Sequence, residues 1–171
     1  MSDTNTADNT DAIVMAQHTL QSLLSQQESL VLATVNTDGS PLASYTPFVV
    51  DPDKTFYIFV SMLSHHTVNL LQAEQASVML IADEAETSQI FARSRLTFTC
   101  RVEELARDTE AWQTAAGHYE ERFSKMFSLL RTLGDFKMFK LIPESGTLVV
   151  GFGQAYTLQG DKFDQLILRK D

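Results

Sequence analysis

Residues 29–50 read SLVLATVNTDGSPLASYTPFVV, and this stretch decides the fold. Apolar and β-branched residues fill both of its ends, and the tetrapeptide TDGS separates them. An Asp-Gly pair supplies the positive φ angles that a tight hairpin turn requires. The stretch therefore predicts two antiparallel strands joined by a short turn. Pro47 lacks an amide hydrogen, which indicates an edge position or a bulge in the second strand.

Further short strands follow this hairpin. The predicted elements are a strand at 55–61, a short helix at 65–75, strands at 77–83 and 93–105, a long helix at 107–131, strands at 135–143 and 146–158, and a last strand within 164–170. Consecutive strands joined by tight turns favour an antiparallel sheet. Six or more such strands close most simply into a barrel with helices packed outside. The predicted fold class is mainly β with flanking helices.

The N-terminal part of the chain divides into two stretches. Residues 1–10 are polar, without apolar periodicity, and predict a disordered tail. From residue 12 to residue 27 apolar side chains recur at helical spacing, which predicts an amphipathic helix. A length of 171 residues is typical of one domain, and no linker interrupts the rest. We therefore expect a single domain over residues 11–171.

Charge and composition exclude several classes of protein. The chain has 22 acidic and 13 basic residues and a net charge of −9, the opposite of what a general nucleic-acid or anionic-membrane binder needs. No apolar run approaches the roughly 20 residues that span a bilayer, and the first residues do not resemble a signal peptide. We expect a cytoplasmic protein. Cys100 is the only cysteine, which rules out an internal disulfide and disfavours a cysteine metal site.

Two histidines, His65 and His66, lie where the short helix should begin after Ser64. Adjacent residues of a helix point in different directions, so the pair does not predict a metal site. Backbone N–H groups at a helix start, with Ser64, Thr67 and imidazole N–H groups, can instead bind an anion. Neutral histidines exposed to solvent also tolerate this position, and the residues leave both interpretations open.

Basic residues also cluster on the strand at 93–105. Arg93 and Arg95 share one face with Thr97, and arginine suits forked recognition of phosphate or carboxylate. A solvated outer face is the alternative. Gly151 and Gly153 lie within an apolar strand pattern and indicate a bulge or a close backbone approach. They do not form a dinucleotide-binding motif, because no helix follows them. No pattern for a catalytic nucleophile is present, and catalytic residues remain unassigned.

Four segments resemble a known family when they are taken in order and spacing: LATVNTDGSPLASYTPFVV, SMLSHHTVNL, FARSRLTF and GFGQAY. They are similar to the haem-utilisation branch of the pyridoxamine-5′-phosphate-oxidase-like split barrels, and the likeness covers about residues 12–160. The resemblance implies an antiparallel split β-barrel of the FMN-binding type. It also implies a homodimer with ligand sites at the dimer interface, for FMN in most members and for haem in this branch.

The resemblance also implies a set of cofactor-binding residues. The FMN phosphate would contact Ser61, Ser64, His66, Thr67 and Arg95. The flavin ring would contact Ser44, Tyr45, Thr46, Pro47 and Phe48. Flavin oxidases that act on pyridoxamine phosphate have an arginine–lysine pair at places occupied here by Ser44, Phe48, His65 and His66, so oxidation of that substrate is not expected.

The leading hypothesis is an FMN-dependent oxidoreductase of unknown substrate, a homodimer that binds neither nucleic acid nor membrane. The alternatives are a haem-binding or haem-utilisation protein and a non-catalytic dimeric ligand-binding module. In haem-degrading members a histidine near the C-terminus ligates iron, supported by an acid that Asp135 matches, yet residues 160–171 contain no histidine. We therefore expect weak haem binding without degradation. The strand with Tyr45 and Phe48 and the aromatic residues of the long helix are candidates for the dimer interface.

Overall fold

A computed structural model of the chain describes residues 3–169, with side chains from residue 10 onward. The elements are helices α1 (Asp3–Gln26), α2 (His65–Leu70) and α3 (Glu110–Leu130), and strands β1 (Ser29–Val35), β2 (Pro41–Val50), β3 (Phe56–Ser61), β4 (Gln75–Ile81), β5 (Arg95–Leu105), β6 (Phe136–Gly151), β7 (Gln154–Gln159) and β8 (Gln165–Leu168). A single 3₁₀ turn covers Ile90–Ala92. None of the helices within residues 3–169 is long and apolar enough to cross a membrane.

The strands pair antiparallel in the order β3-β2-β1-β4-β5-β6-β7-β8. An additional pairing between β3 and β6 closes the first six strands of that order into a barrel. The long strand β6 makes the closure possible, because its first half pairs with β3 while its second half pairs with β7. This arrangement confirms the predicted split barrel, with β7 and β8 extending the sheet beyond the barrel.

Strand β6 corrects the sequence analysis, which placed a break between 143 and 146. Pro143 lies opposite Cys100 beside a bulge in β6, where Glu144 is the extra residue, so the strand accommodates a proline without ending. Gly146 lies opposite Phe98, and a Cβ atom at Gly146 would stand 2.4 Å from the Phe98 ring. The glycine at which the second strand was predicted to begin is therefore a packing requirement inside one continuous strand. The strand ends instead at the Phe152–Gly153 turn.

Pro47 lies where strand β2 changes partner. Residues 41–47 pair with β1, whereas residues 48–50 pair with β3, so the predicted edge position is confirmed. The hydroxyl of Tyr119, from α3, occupies the place where the β2–β3 ladder stops. It donates to the carbonyls of Pro47 (3.0 Å) and Tyr57 (3.1 Å) and accepts from the amide of Phe59 (3.1 Å). The side chain thus bridges the two strands at the point where their direct pairing ends.

The helices begin and end at different residues from those predicted. Helix α1 begins at Asp3, so the prediction of a disordered tail over residues 1–10 is wrong for residues 3–10. Residues 1 and 2 and the side chains of 3–9 lie outside the described part. Helix α2 ends at Leu70, five residues earlier than predicted. Helix α3 contains a kink at Ser124, where φ is 40°. The single-domain prediction for 11–171 stays a prediction.

Two hydrophobic cores hold the elements together. Helix α1 covers one end of the barrel with apolar side chains that join the barrel interior, namely Ala16, Leu20, Leu23 and Leu24. Helix α3 packs on the outside of the barrel, where Trp112, Tyr119 and Phe127 meet Val49, Phe59 and Met138. Phe48 is fully buried in the barrel interior. Phe48 and the buried aromatic residues of α3 are therefore core residues, which corrects the interface assignment and leaves Tyr45, 71 % exposed, as its candidate.

Candidate functional site

Helix α2 closes the end of the barrel opposite to α1. Its Asn69 is buried, and its side-chain amide donates to Thr34 Oγ1 at 3.0 Å and to Asn36 Oδ1 at 2.9 Å. These bonds fix the helix against the end of β1 and the hairpin turn that follows it. The sequence analysis missed this polar anchor, because only the closed barrel brings residues of β1 beside a helix more than 30 residues away.

His66 points inward from α2 and contacts strand β2. It is 8 % exposed, and its Nδ1 lies 3.0 Å from Ser44 Oγ. Ser44 Oγ also lies 3.3 Å from the carbonyl of Leu32, to which it donates, so this hydroxyl connects the imidazole to strand β1. Burial lowers the pKa of His66 below its usual value. The imidazole is therefore neutral at neutral pH, unlike the cationic phosphate ligand that the resemblance implied.

Two of the three hydroxyl groups predicted around the start of α2, those of Ser61 and Thr67, are engaged within the chain. Ser61 Oγ donates to Asp135 Oδ2 at 2.6 Å, and Thr67 Oγ1, which is fully buried, donates to the carbonyl of Ser61 at 2.6 Å. Ser64 occupies the predicted N-cap position, but its side chain makes no capping hydrogen bond. A carboxylate beside Ser61 opposes the binding of a phosphate at this helix start, because two anions then share a small volume.

Arg95 lies apart from this cluster. Ser44 is in register with Leu32, Val78 and Phe98 across the sheet. Arg95 comes three residues before Phe98 on the opposite face, about 10 Å further along the strand at about 3.3 Å per residue. Its Nη1 donates to the Arg93 carbonyl at 3.1 Å. A single chain therefore does not bring His66 and Arg95 together.

The five residues predicted to contact a flavin ring divide between the two faces of β2. Ser44, Thr46 and Phe48 face the barrel interior, where Thr46 and Phe48 are buried. Pro47 uses its carbonyl for the Tyr119 hydroxyl. Tyr45 alone of the five presents an exposed aromatic side chain on the outer face.

The outer face beside Tyr45 consists of apolar and small polar side chains, with one arginine nearby. Across the sheet, Tyr45 is in register with Val31, Met79 and Thr97, and Arg95 follows two residues from Thr97 on the same face. Val31 and Met79 are half-buried. This surface can accept a planar apolar ligand, with Arg95 at its margin for an acidic group. No cluster of metal-ligating side chains occurs among the described residues, which agrees with the sequence analysis but leaves that prediction untested.

Comparison with known proteins places this barrel in a family. The profile described as pyridoxamine 5′-phosphate oxidase matches residues 16–150. The chain belongs to the pyridoxamine 5′-phosphate oxidase family. The resemblance that the four sequence segments indicated is thereby confirmed.

One protein that this chain resembles in both sequence and structure carries names that refer to haem. The haem oxygenase HutZ of Vibrio cholerae is 41 % identical over 136 residues, which cover 80 % of this chain and 77 % of the relative. A crystal structure of Vibrio cholerae HutZ, described as a haem storage protein, is 37 % identical with a TM-score of 0.72 and covers 77 % of this chain and 92 % of its own. The structure of Campylobacter jejuni ChuZ has a TM-score of 0.79 at 26 % identity, covering 91 % of this chain and 63 % of its own.

Proposed function

We propose that this protein binds haem and functions in haem utilisation, rather than as an FMN-dependent oxidoreductase. The observation that carries the proposal is the 41 % identity with the haem oxygenase HutZ over most of the chain. The comparisons support the haem alternative of the sequence analysis better than its leading flavin hypothesis, which rests here on the family name alone.

The residues expected to hold an FMN phosphate fit that group poorly. Ser61 donates its hydroxyl to the Asp135 carboxylate, and Thr67 is fully buried with its hydroxyl on a backbone carbonyl. His66 is neutral because burial lowers its pKa. A phosphate at this place would have to displace these bonds and approach the Asp135 carboxylate.

The outer face of the sheet fits haem better. Tyr45, Val31 and Met79 would pack against the porphyrin plane, and Arg95 would pair with a propionate. Arginine suits a carboxylate because its planar fork donates two parallel hydrogen bonds. Bound haem supplies iron redox chemistry, and the protein supplies binding, orientation and exclusion of water.

We propose further that the protein is a homodimer in which this outer face meets a second copy. Tyr45 at 71 % and Val35 at 58 % are exposed apolar side chains in a single chain, and a second sheet face would cover them. Residues 41–46 of β2 pair on one side only within the described chain, which leaves that edge open. Light scattering that shows a monomer at micromolar concentration would contradict the dimer.

The test is a pair of absorbance titrations of the full chain, one with haem and one with FMN. We expect a Soret band that saturates at one haem per chain, and weaker binding of FMN. Arg95→Gln should weaken haem binding about ten- to a hundred-fold, the loss of one charge-assisted contact of about 1.5–3 kcal/mol. Arg101→Gln is the matched control, because Arg101 lies on the same strand and pairs with Glu103. FMN binding tighter than haem binding would reject the proposal.

The same haem complex separates degradation from storage. Ascorbate is added with catalase present, so that free peroxide does not destroy the haem. Loss of the Soret band under these conditions supports a haem-degrading enzyme, as the name of the HutZ relative suggests. A Soret band that persists supports a carrier or storage protein. The sequence analysis likewise expected that haem is not degraded.

A further inference from the structure

A cavity of about 400 Å³ lies between α1 and the turn that joins β2 to β3. This turn stands at the start of β3, whereas α2 follows the end of β3, so the cavity is at the opposite end of the barrel from α2. It is also separate from the outer sheet face assigned to haem. Leu24, Val50 and Pro52 form apolar parts of its wall, and Ser25 adds a hydroxyl.

Lys54 lines this cavity and is buried without an ionic partner. The residue is 6 % exposed, its backbone has a φ of 62°, and its ammonium donates to the carbonyl of Lys162. None of the ion pairs formed by the described residues includes Lys54. Lysine is rarely buried unless it is paired, and an ammonium has three donors to satisfy. Burial also lowers the pKa of Lys54, which reflects the cost of holding this charge away from water.

Arg122 brings a second cation to the same cavity. Its guanidinium donates to the carbonyl of Gln27 and lies 5.0 Å from the centre of the Phe48 ring. A cation held against an aromatic face by a second, directional bond is fixed in position. Two fixed cations at one cavity are notable in a chain whose net charge is −9.

The carboxylate of Asp51 also lines the cavity, but its oxygens are occupied by the turn itself. Oδ1 accepts from the amides of Asp53 and Thr55, each at 2.9 Å, and Oδ2 accepts from the hydroxyl of Tyr57 at 3.1 Å. Three donors thus compensate Asp51 locally. The ammonium of Lys54 and the guanidinium of Arg122 each have one hydrogen bond to a backbone carbonyl, so both have donors to spare for a ligand.

We propose that this cavity binds a small organic anion. Its carboxylate would lie between Lys54 and Arg122, and its apolar body would contact Leu24, Val50 and Pro52. Asp164 and Asp53 offset only part of the cost of burying Lys54. The anion would add a negative charge in the cavity itself and displace water from the apolar wall. This site is independent of the haem proposal, and neither depends on the other.

The probe for this site is benzoate, and its control is benzamide, which has the same ring and shape without the charge. Binding to the full chain is followed through the backbone amide signals of Ser25 and Val50 in ¹⁵N-resolved spectra. We expect saturable shifts with benzoate and at least ten-fold weaker binding of benzamide. Equal binding of the two compounds, or no saturable shift with benzoate, overturns the proposal without the need for any variant.

Two lysine variants then test which cation recognises the anion. Lys54→Met keeps an unbranched side chain but removes the charge, and should weaken benzoate about ten- to a hundred-fold. Lys162→Met removes the same charge from the neighbouring turn, where Lys162 pairs with Asp53 at 2.9 Å and is exposed. It should leave benzoate binding unchanged. Equal affinities in the two variants would show that Lys54 is only a structural element of the turn.

Discussion

Replacing Tyr119 with phenylalanine removes one oxygen atom from the place where strands β2 and β3 stop pairing. The hydroxyl bridges the carbonyls of Pro47 and Tyr57 and the amide of Phe59. The residue is 3 % exposed, so water does not easily replace the missing oxygen. Burial also raises the pKa of the phenol, which keeps its proton available for donation throughout the physiological range.

The expected loss of stability follows from the hydrogen bonds rather than from packing. The ring of Tyr119 stacks on Phe127 at 5.1 Å and meets Phe59 edge-on at 6.2 Å, and phenylalanine keeps both contacts. The amide of Phe59 loses its acceptor, and leaving a buried donor unsatisfied costs about 1–3 kcal/mol. We therefore expect the free energy of unfolding to fall by about 1–3 kcal/mol.

Urea unfolding of the full chain measures this change, with Tyr45→Phe as the control. Tyr45 is 71 % exposed, so loss of its hydroxyl should change stability by no more than about 0.5 kcal/mol. Amide hydrogen exchange gives a local measurement, because the Phe59 N–H should exchange faster in Tyr119→Phe than in the parent. If both phenylalanine variants have the same stability and Phe59 stays protected, the bridge contributes nothing and the reasoning fails.

Two further predictions concern packing and pH. Gly146→Ala should lower the free energy of unfolding in urea by about 1–3 kcal/mol, because the new Cβ would lie 2.4 Å from the Phe98 ring. Gly117→Ala in helix α3 is the control: its Cβ would meet no atom within 4 Å, so the change should be neutral or stabilising. Because burial lowers the pKa of His66, the unfolded chain binds more protons below its ordinary pKa of 6.5, so stability should fall as the pH drops below that value. His66→Gln should show a shallower fall between neutral pH and about pH 5, and an unchanged pH dependence would contradict the neutral assignment.

The hairpin at 29–50 could be predicted because its signals are local. Alternating apolar residues and an Asp-Gly turn determine strand, turn and register within 22 residues, and Pro47 marked the change of partner in β2. Strand β6 could not be divided correctly by the same rules. A side chain at position 146 would clash with Phe98, which lies on a strand nearly 50 residues away. A local sequence pattern cannot distinguish that packing requirement from a turn.

The candidate site was harder to predict than the fold. The sequence shows donor residue types at 61–67 and at 93–97, but whether these two segments meet depends on barrel closure and on which face each side chain occupies. His66 turned inward to Ser44, whereas Arg95 lies on the outer face. The periodicity of a six-residue helix is too short to show which of two adjacent histidines is buried.

The contact between Ser61 and Asp135 connects the fold to the choice of ligand. Ser61 and Phe136 form the last pair between β3 and β6, and the Asp135 carbonyl accepts the amide of Met62 at 2.9 Å, so this acid belongs to the seam that closes the barrel. Its carboxylate lies 2.6 Å from the Ser61 hydroxyl that a flavin phosphate would require. A phosphate at Ser61 would lie beside this carboxylate and be repelled by it, whereas a neutral or cationic neighbour would not. The closure of the barrel thus weighs against FMN at helix α2, and it does so independently of the relatives whose names support haem.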